Sequence, residues 1–395
     1  MFGLKAAYIW TGAISLLFIL FLIWQFSPFA NVNYKVTSLP GEQFAAASDL
    51  PPPPPPVVHL ATPEQMKSIY MTSCVAGTPS WREQLKALIE RTELNSIVID
   101  IKDYTGTVSF PNNLPKPENR KGCVVSDLKE FIASLHQSNI YVIGRISVFQ
   151  DPAYTSLFPE LAVKSLSTGG VWKDNKGLAF IDVGATPYWD YIVDISKQAY
   201  AIGFDELNYD YVRYPSDGNM KDANYSWSNS STTVYFSKAD RLETFFIYLH
   251  QHLKDLGVKT SADLFGMTTT IQEDMGIGQV LEKALPYFDY IDPMVYPSHY
   301  PATWNGFANP AEHPYEVIHI AMSEGKRREQ ILNISMGLAT TTPSKLRPWI
   351  QDFNLGATYG PDKVRAQMQA TYDSGLTSWM IWSAANKYTE AALLP

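Results

Sequence analysis

Hydrophobic and polar positions divide the chain into three regions. Tyr8–Phe26 is an apolar run without a charge, Ser27–Val57 is polar and proline-rich, and from about His59 short β-rich runs alternate with amphipathic stretches. That last pattern is expected of βα units around a parallel sheet. The predicted strands are Ser68–Thr72, Ser96–Lys102, Tyr141–Phe149, Phe204–Tyr214, Lys259–Phe265, Tyr290–Tyr296, Leu346–Phe353 and Ser378–Ala384. Helical spacing falls between them, at Trp81–Thr92, Asp127–Ser138, Pro187–Ala201, Lys238–Leu256, Tyr315–Arg328 and Pro361–Ser374. Pro361 and Asp362 open the last helix and Gly375 closes it. This order predicts a closed (β/α)8 TIM barrel. An open doubly wound sheet is disfavoured, since no G-x-G-x-x-G or Walker loop follows a strand. Long loops after strands (Asp103–Val125, Gln150–Gly184, Ser216–Ser237 and Pro297–Pro314) all fall at the C-terminal rim, where barrel enzymes build their sites.

The run Tyr8–Phe26 is about as long as a bilayer core requires, and Tyr8, Trp10, Trp24 and Phe26 supply aromatics at both ends. Lys5 lies upstream, so the N-terminus is expected to stay cytoplasmic and the barrel to be exported. A cleaved signal peptide is the alternative, but the run is long for one and no small-x-small site follows. The expected domains are therefore a transmembrane signal-anchor (1–30), a Pro-rich linker (31–58) and the barrel (59–395). Pro51–Pro56 would make the linker a stiff polyproline II rod.

Composition narrows the function. The chain has 395 residues, 46% hydrophobic and 18% charged, enough to bury a large core. A net charge of −8 without a basic patch argues against nucleic acid as a partner. Cys74 and Cys123 are the only cysteines, and either bridge or remain two buried thiols. No H-E-x-x-H, paired C-x-x-C or G-x-S-x-G is present, and no metal or cofactor is called for.

The candidate chemistry centres on GFDELNYDYVRYP. Alternation puts Phe204, Glu206, Asn208, Asp210 and Val212 on one strand face, and Tyr211 and Arg213 on the other. Carboxylates stacked on one face are costly against an apolar core, but suit a barrel whose upper end opens into a polar cleft. Pro215 is expected to stop the strand, leaving Asp210 near the mouth. A buried ion pair to a barrel lysine or arginine is the competing reading, above all for Glu206. Asp263 lies near the end of the fifth strand on the face of Ser261, while Asp292, Met294 and Tyr296 share a face of the sixth. Asp100 and Lys102 share a face of the second, with Asp103 at its end. Glycosidic hydrolysis needs one carboxylic acid and a second carboxylate acting as nucleophile or base. Asp210 and Asp263 form the expected catalytic pair, with Glu206 and Asp292 as reserve acids. Arg213, Tyr296, His299, Trp349, Trp382, Asn208 and Asp103 are expected substrate contacts, and Trp172 and Trp304 are candidates for stacking on sugar rings.

In chain order, NSIVIDIKDYTGTVSF, GFDELNYDYVRYPSDG, SADLFG, YIDPMVYPSHY, RPWIQDF and SWMIWSAANKY resemble the bacterial putative glycosyl hydrolase domain family of the glycosidase TIM-barrel clan. The resemblance covers roughly His59 to the C-terminus and implies a (β/α)8 barrel and a polysaccharide-directed hydrolase. It matches Asp210 to the fourth-strand catalytic acid and Asp263 to a second acid, with Met294 and Tyr296 flooring the sugar site. Asn208 stands where a glutamine is expected, and Asp292 where a small residue such as serine is. The extra charge of Asp292 either raises the pKa of a neighbouring carboxylate or pairs with Arg347 or His299. The expected function is a membrane-tethered glycosidase cleaving an envelope or extracellular polysaccharide. The alternatives are a non-catalytic polysaccharide-binding or scaffold module, or a transglycosylase.

Overall fold

A computed structural model describes residues 57–119, 121–229, 236–339 and 341–394, all within the compact unit Pro56–Pro395. The expected anchor over residues 8–26 and the Pro51–Pro56 run lie outside the described residues. Among the described residues no helix is long and apolar enough to cross a membrane.

Eight parallel strands close into a barrel. In chain order they are β1 (Lys67–Met71), β2 (Ser96–Lys102), β3 (Tyr141–Ser147), β4 (Glu206–Asp210), β5 (Lys259–Phe265), β6 (Tyr290–Met294), β7 (Trp349–Gln351) and β8 (Trp379–Trp382). Each neighbours the next, and β8 pairs back onto β1. One covering helix follows each of the first seven strands, α1 (Pro79–Glu90), α2 (Leu128–Gln137), α3 (Thr186–Ile202), α4 (Lys238–Leu253), α5 (Leu281–Ala284), α6 (Pro314–Ser335) and α7 (Pro361–Asp373), and short helices at Ser73–Ala76 and Pro152–Leu157 lie in the rim loops. After β8 the described residues include a short 3-10 turn, Glu390–Ala392. The architecture is the expected TIM barrel. Local signals set the helix ends: Ser237 and Asp240 form a capping box at the start of α4.

Period-2 alternation sorts the strand residues into two layers. Outward positions such as Ile97, Ile99, Val142, Leu207, Tyr209, Ala262 and Leu264 join the helices in the main apolar core. Inward positions make a second cluster that includes Tyr70, Val98, Tyr141, Ile143, Trp349 and Met380. The strand β4 adds only Glu206, Asn208 and Asp210 to the interior, and β5 adds Ser261 and Asp263. The barrel lumen is therefore part apolar and part charged.

Two strands depart from simple alternation. A register shift between Asp100 and Lys102 pairs Lys102 with Ile146, so it leaves the face of Asp100. The Lys102 Nζ then reaches Asp151 at 2.8 Å and lies 5.9 Å from the Tyr188 ring centroid on α3. Asp100 and Lys102 do not pair with each other; each charge has another partner. On β4, the strand ends at Asp210 and not at Pro215, because Tyr211 takes a left-handed φ of 52°. That turn resets the alternation and brings Arg213 to the inner rim.

Rim loops are tied to one another. Lys164–Ser165 and Ala223–Asn224 form a two-stranded antiparallel ribbon joining the loops after β3 and β4. Cys74, in a short helix after β1, bridges to Cys123 in the loop after β2, with Cα atoms 5.0 Å apart. Closing a loop of 49 residues restricts the unfolded chain by up to about 4 kcal/mol in the entropic account. A reductant, or the Cys74→Ala/Cys123→Ala pair, should lower the midpoint of thermal unfolding by several degrees; an unchanged midpoint would show that the bridge adds nothing.

Candidate functional site

The inward polar residues form two levels in the lumen. At the lower level Arg347, entering from the segment before β7, pairs with Glu206 and Asp292. Its Nε lies 3.0 Å from Asp292 Oδ1, and Nη1 donates to Glu206 Oε2 at 3.1 Å. Tyr141 Oη adds a hydrogen bond to the same Glu206 oxygen at 3.1 Å. Both acids are fully buried. They do not border the cleft above, so the two reserve acids are structural counter-ions of Arg347.

Asn208 connects the levels. Its Nδ2 lies 3.1 Å from Ser261 Oγ, 2.8 Å from Asp263 Oδ1 and 3.1 Å from Asp292 Oδ2. It is buried and touches carboxylates, not the cleft. Trp349, also expected to contact substrate, is buried and donates from Nε1 to Asp263 Oδ1 at 2.7 Å. Both residues position Asp263 from beneath.

Above them Arg145, from β3, gathers three carboxylates. Its Nη1 donates to Asp100 Oδ1 at 2.7 Å, and Nε and Nη2 both donate to Asp210 Oδ2, the former at 3.1 Å. Asp263 Oδ2 lies 3.9 Å from the same Nε. Asp210 and Asp263 therefore converge on one nitrogen, well inside the separation of up to about 9.5 Å at which paired glycosidase carboxylates work. The Asp210 Oδ1 also accepts the Tyr211 backbone N–H at 2.5 Å. Tyr70 Oη donates to Asp100 at 2.5 Å, and its ring stacks on Trp382 with centroids 4.1 Å apart.

The surroundings of Asp263 perturb its titration. Burial, then the charges of Asp210 and Asp292, hold the Asp263 carboxyl well above the usual carboxylate range against the pull of Arg145. That shift is towards the protonated form, the direction a general acid needs. The two outcomes open for Asp292 both occur, since it pairs with Arg347 and also raises its neighbour. Burial pushes Asp292 itself up to about 6, with Glu206 adding and Arg347 opposing. Asp100 is likewise raised to about 6 by burial, opposed by Arg145 and the Tyr70 hydrogen bond.

The cleft has a volume of about 320 Å³. Asp210 and Asp263 border it, together with Arg145, Arg213, Tyr296, His299 and Trp382. Phe265, Met267, Met294 and Tyr300 complete much of its apolar wall. Burial lowers the pKa of His299, favouring a neutral imidazole, and its ring meets Tyr296 and Phe353 edge-on. Gly266 permits the close fit of this wall, because a Cβ there would lie 2.6 Å from Met294 O. Three further expected contacts fall elsewhere. Asp103 closes its own turn by accepting from Thr105 N at 2.9 Å and Oγ1 at 2.5 Å. Trp172 is buried in the rim loops with its Nε1–H on Asn219 O at 3.0 Å, so it offers no platform to a sugar. Trp304 packs against Tyr300, ring centroids 4.5 Å apart, behind the cleft wall. Among the described residues no group of three His, Cys, Asp or Glu is placed to hold a metal.

Arg145 was not anticipated from the sequence. Its signal was a single charge in the otherwise apolar strand YVIGRIS, opposite a strand rich in acids. Tyr70 carried no such signal, since a tyrosine in a strand reads as core.

Residues 68–388 match the family described as "Putative glycosyl hydrolase domain". The chain belongs to this family. Its glycosyl hydrolase domain thus spans the whole barrel, from β1 to beyond β8. A hypothetical protein from Ruminiclostridium thermocellum is 33% identical, over 49% of this chain and 96% of its own, with a TM-score of 0.43. The glycoside hydrolase domain of PgaB (BpsB) from Bordetella bronchiseptica is 12% identical, over 82% of this chain and 95% of its own, with a TM-score of 0.58. Alpha-L-fucosidase isoenzyme 2 from Paenibacillus thiaminolyticus is 11% identical, over 83% and 48%, with a TM-score of 0.56. These last two share the fold of the glycosyl hydrolase domain. No curated protein matches the chain.

The lower charge level of the glycosyl hydrolase domain has a measurable consequence. Arg347→Met leaves Glu206 and Asp292 buried without a cation, a loss of about 3–5 kcal/mol. Because Asp292 already has a raised folded-state pKa of about 6, acid favours its folded state and rising pH works against it. Urea unfolding should therefore show a larger deficit at pH 7.5 than at pH 5. An equal deficit at both would mean that buried carboxylate charge is not its cause.

Proposed function

We propose that the chain is an exported, membrane-tethered glycoside hydrolase acting on an envelope or extracellular polysaccharide. The observation that carries this reading is the convergence of Asp210 and Asp263 on Arg145 at the floor of a cleft, with Asp263 driven towards its protonated form. In this reading Asp263 gives its proton to the glycosidic oxygen as the bond to the anomeric carbon breaks. Asp210, held in place by Arg145 and the Tyr211 N–H, faces the developing positive charge as nucleophile or as base to a water. Tyr296, His299 and Trp382 offer the sugar flat rings and a polar edge. The Cys74–Cys123 bridge supports an oxidising, exported location. The apolar run over residues 8–26 supports the tether.

The engagement of Asp210 by Arg145 also favours a second reading, a polysaccharide-binding module without turnover. A polysaccharide panel assayed with wild type, Asp210→Asn and Asp263→Asn separates the two. The hydrolase reading expects cleavage to drop by about 10²–10⁴ in Asp263→Asn and to be lost in Asp210→Asn, with binding kept. Wild-type cleavage should decline as pH rises through the elevated Asp263 titration. Binding without cleavage in wild type would leave the binding module; cleavage unchanged in both variants would remove this pair from the chemistry.

The tether is tested by fractionation. The full chain should sediment with membranes and be open to protease from outside intact cells, whereas a chain lacking residues 1–58 should be soluble. Recovery of the full chain in the soluble fraction would overturn the tether.

A further inference from the structure

Two arginines border the cleft, and they are not equivalent. Arg145 is neutralised by Asp100 and Asp210. Arg213 is 8% exposed, and among the described residues no carboxylate lies within ion-pair distance of it. Its protein hydrogen bond runs from Nη1 to the backbone oxygen of Tyr214 at 3.0 Å. Asp210, Asp217 and Asp174 act on it only from further away, and burial pulls its pKa below the usual arginine range. The guanidinium carbon sits 4.7 Å from the Tyr211 ring centroid and 4.9 Å from that of Phe265. Rings therefore flank the guanidinium, while among the described residues only Nη1 of its nitrogens has a hydrogen-bond partner.

We propose that the cleft takes an acidic polysaccharide, and that Arg213 receives the carboxylate of a uronic-acid-type sugar. The proposal rests on the reading of this cleft as a glycosidase site and names its substrate class. A buried cation without a counter-ion is costly, and a ligand anion removes that cost. The planar fork of a guanidinium matches a carboxylate in two parallel hydrogen bonds. Lysine could not be held between two rings in the same way. The catalytic acids do not repel such a sugar: Asp263 is kept towards its neutral form, and Asp210 is covered by Arg145. Arg213 and Asp210 border the same cleft, so an acidic ring held by Arg213 is placed near the bond to be cleaved.

The full chain in detergent is titrated with polygalacturonate, alginate and hyaluronan, with the carboxyl-reduced form of each, and with dextran sulfate, by calorimetry and tryptophan fluorescence. At least one acidic glycan should bind tenfold or more tightly than its reduced form. Arg213→Met should abolish that preference and Arg213→Lys should keep part of it, with thermal unfolding confirming that both variants fold. The wild-type comparison stands even where a variant does not fold. Equal affinity for acidic and reduced forms, a preference that survives in folded Arg213→Met, binding of dextran sulfate alone, or no acidic glycan bound overturns the proposal. Asp210-dependent cleavage of neutral glycans alone sinks this inference and leaves the hydrolase reading. Arg213-dependent binding of acidic glycans without any cleavage does the reverse.

Discussion

A charge inside a closed ring of strands has nowhere to go, so it must be neutralised where it stands. This barrel meets that demand with two arginines at different heights. Arg347 holds Glu206 and Asp292 in the sealed lower lumen, and Arg145 holds Asp100 and Asp210 at the floor of the cleft. Asp263 lies between these arrangements, touched by Asn208 and Trp349 but only loosely by Arg145. Burial and the charges of Asp210 and Asp292 outweigh that weak contact and push its carboxyl towards the protonated form. The lower pair is more than ballast, because the Asp292 charge contributes to the same effect.

The sequence made the frame legible because strand alternation and helical spacing report burial directly. GFDELNYDYVRYP could be read as a ladder of inward acids, and Glu206, Asn208 and Asp210 do face the lumen. Alternation failed where the backbone changed step. The register shift after Asp100 turned Lys102 towards α3, and the left-handed Tyr211 moved Arg213 to the rim. Neither change leaves a mark in residue type, since no glycine or proline stands at either point. Trp172 is ambiguous in the sequence for a related reason. Aromatics in long loops suggest exposed platforms, but these loops pack on each other and bury it.

Arg145 shows the opposite limit. A lone cation in an apolar strand can be noticed, but its partners come from β2, β4 and β5, and such pairings exist only once the strands are neighbours. Roles within the site were thus less legible than membership of it. Trp349 and Asn208 belong to the site, but they act on Asp263 from below and do not meet a sugar.

Tyr211 joins two things that proteins usually vary separately. Its backbone ends β4 at Asp210, and its side chain forms one wall of the slot around Arg213. A glycine would relieve the left-handed conformation but would leave the guanidinium with one ring fewer. A bulkier side chain would crowd that slot while leaving the turn strained. Evolution at this position is therefore a trade between the shape of a strand end and the taste of the pocket, and neither can drift without dragging the other along.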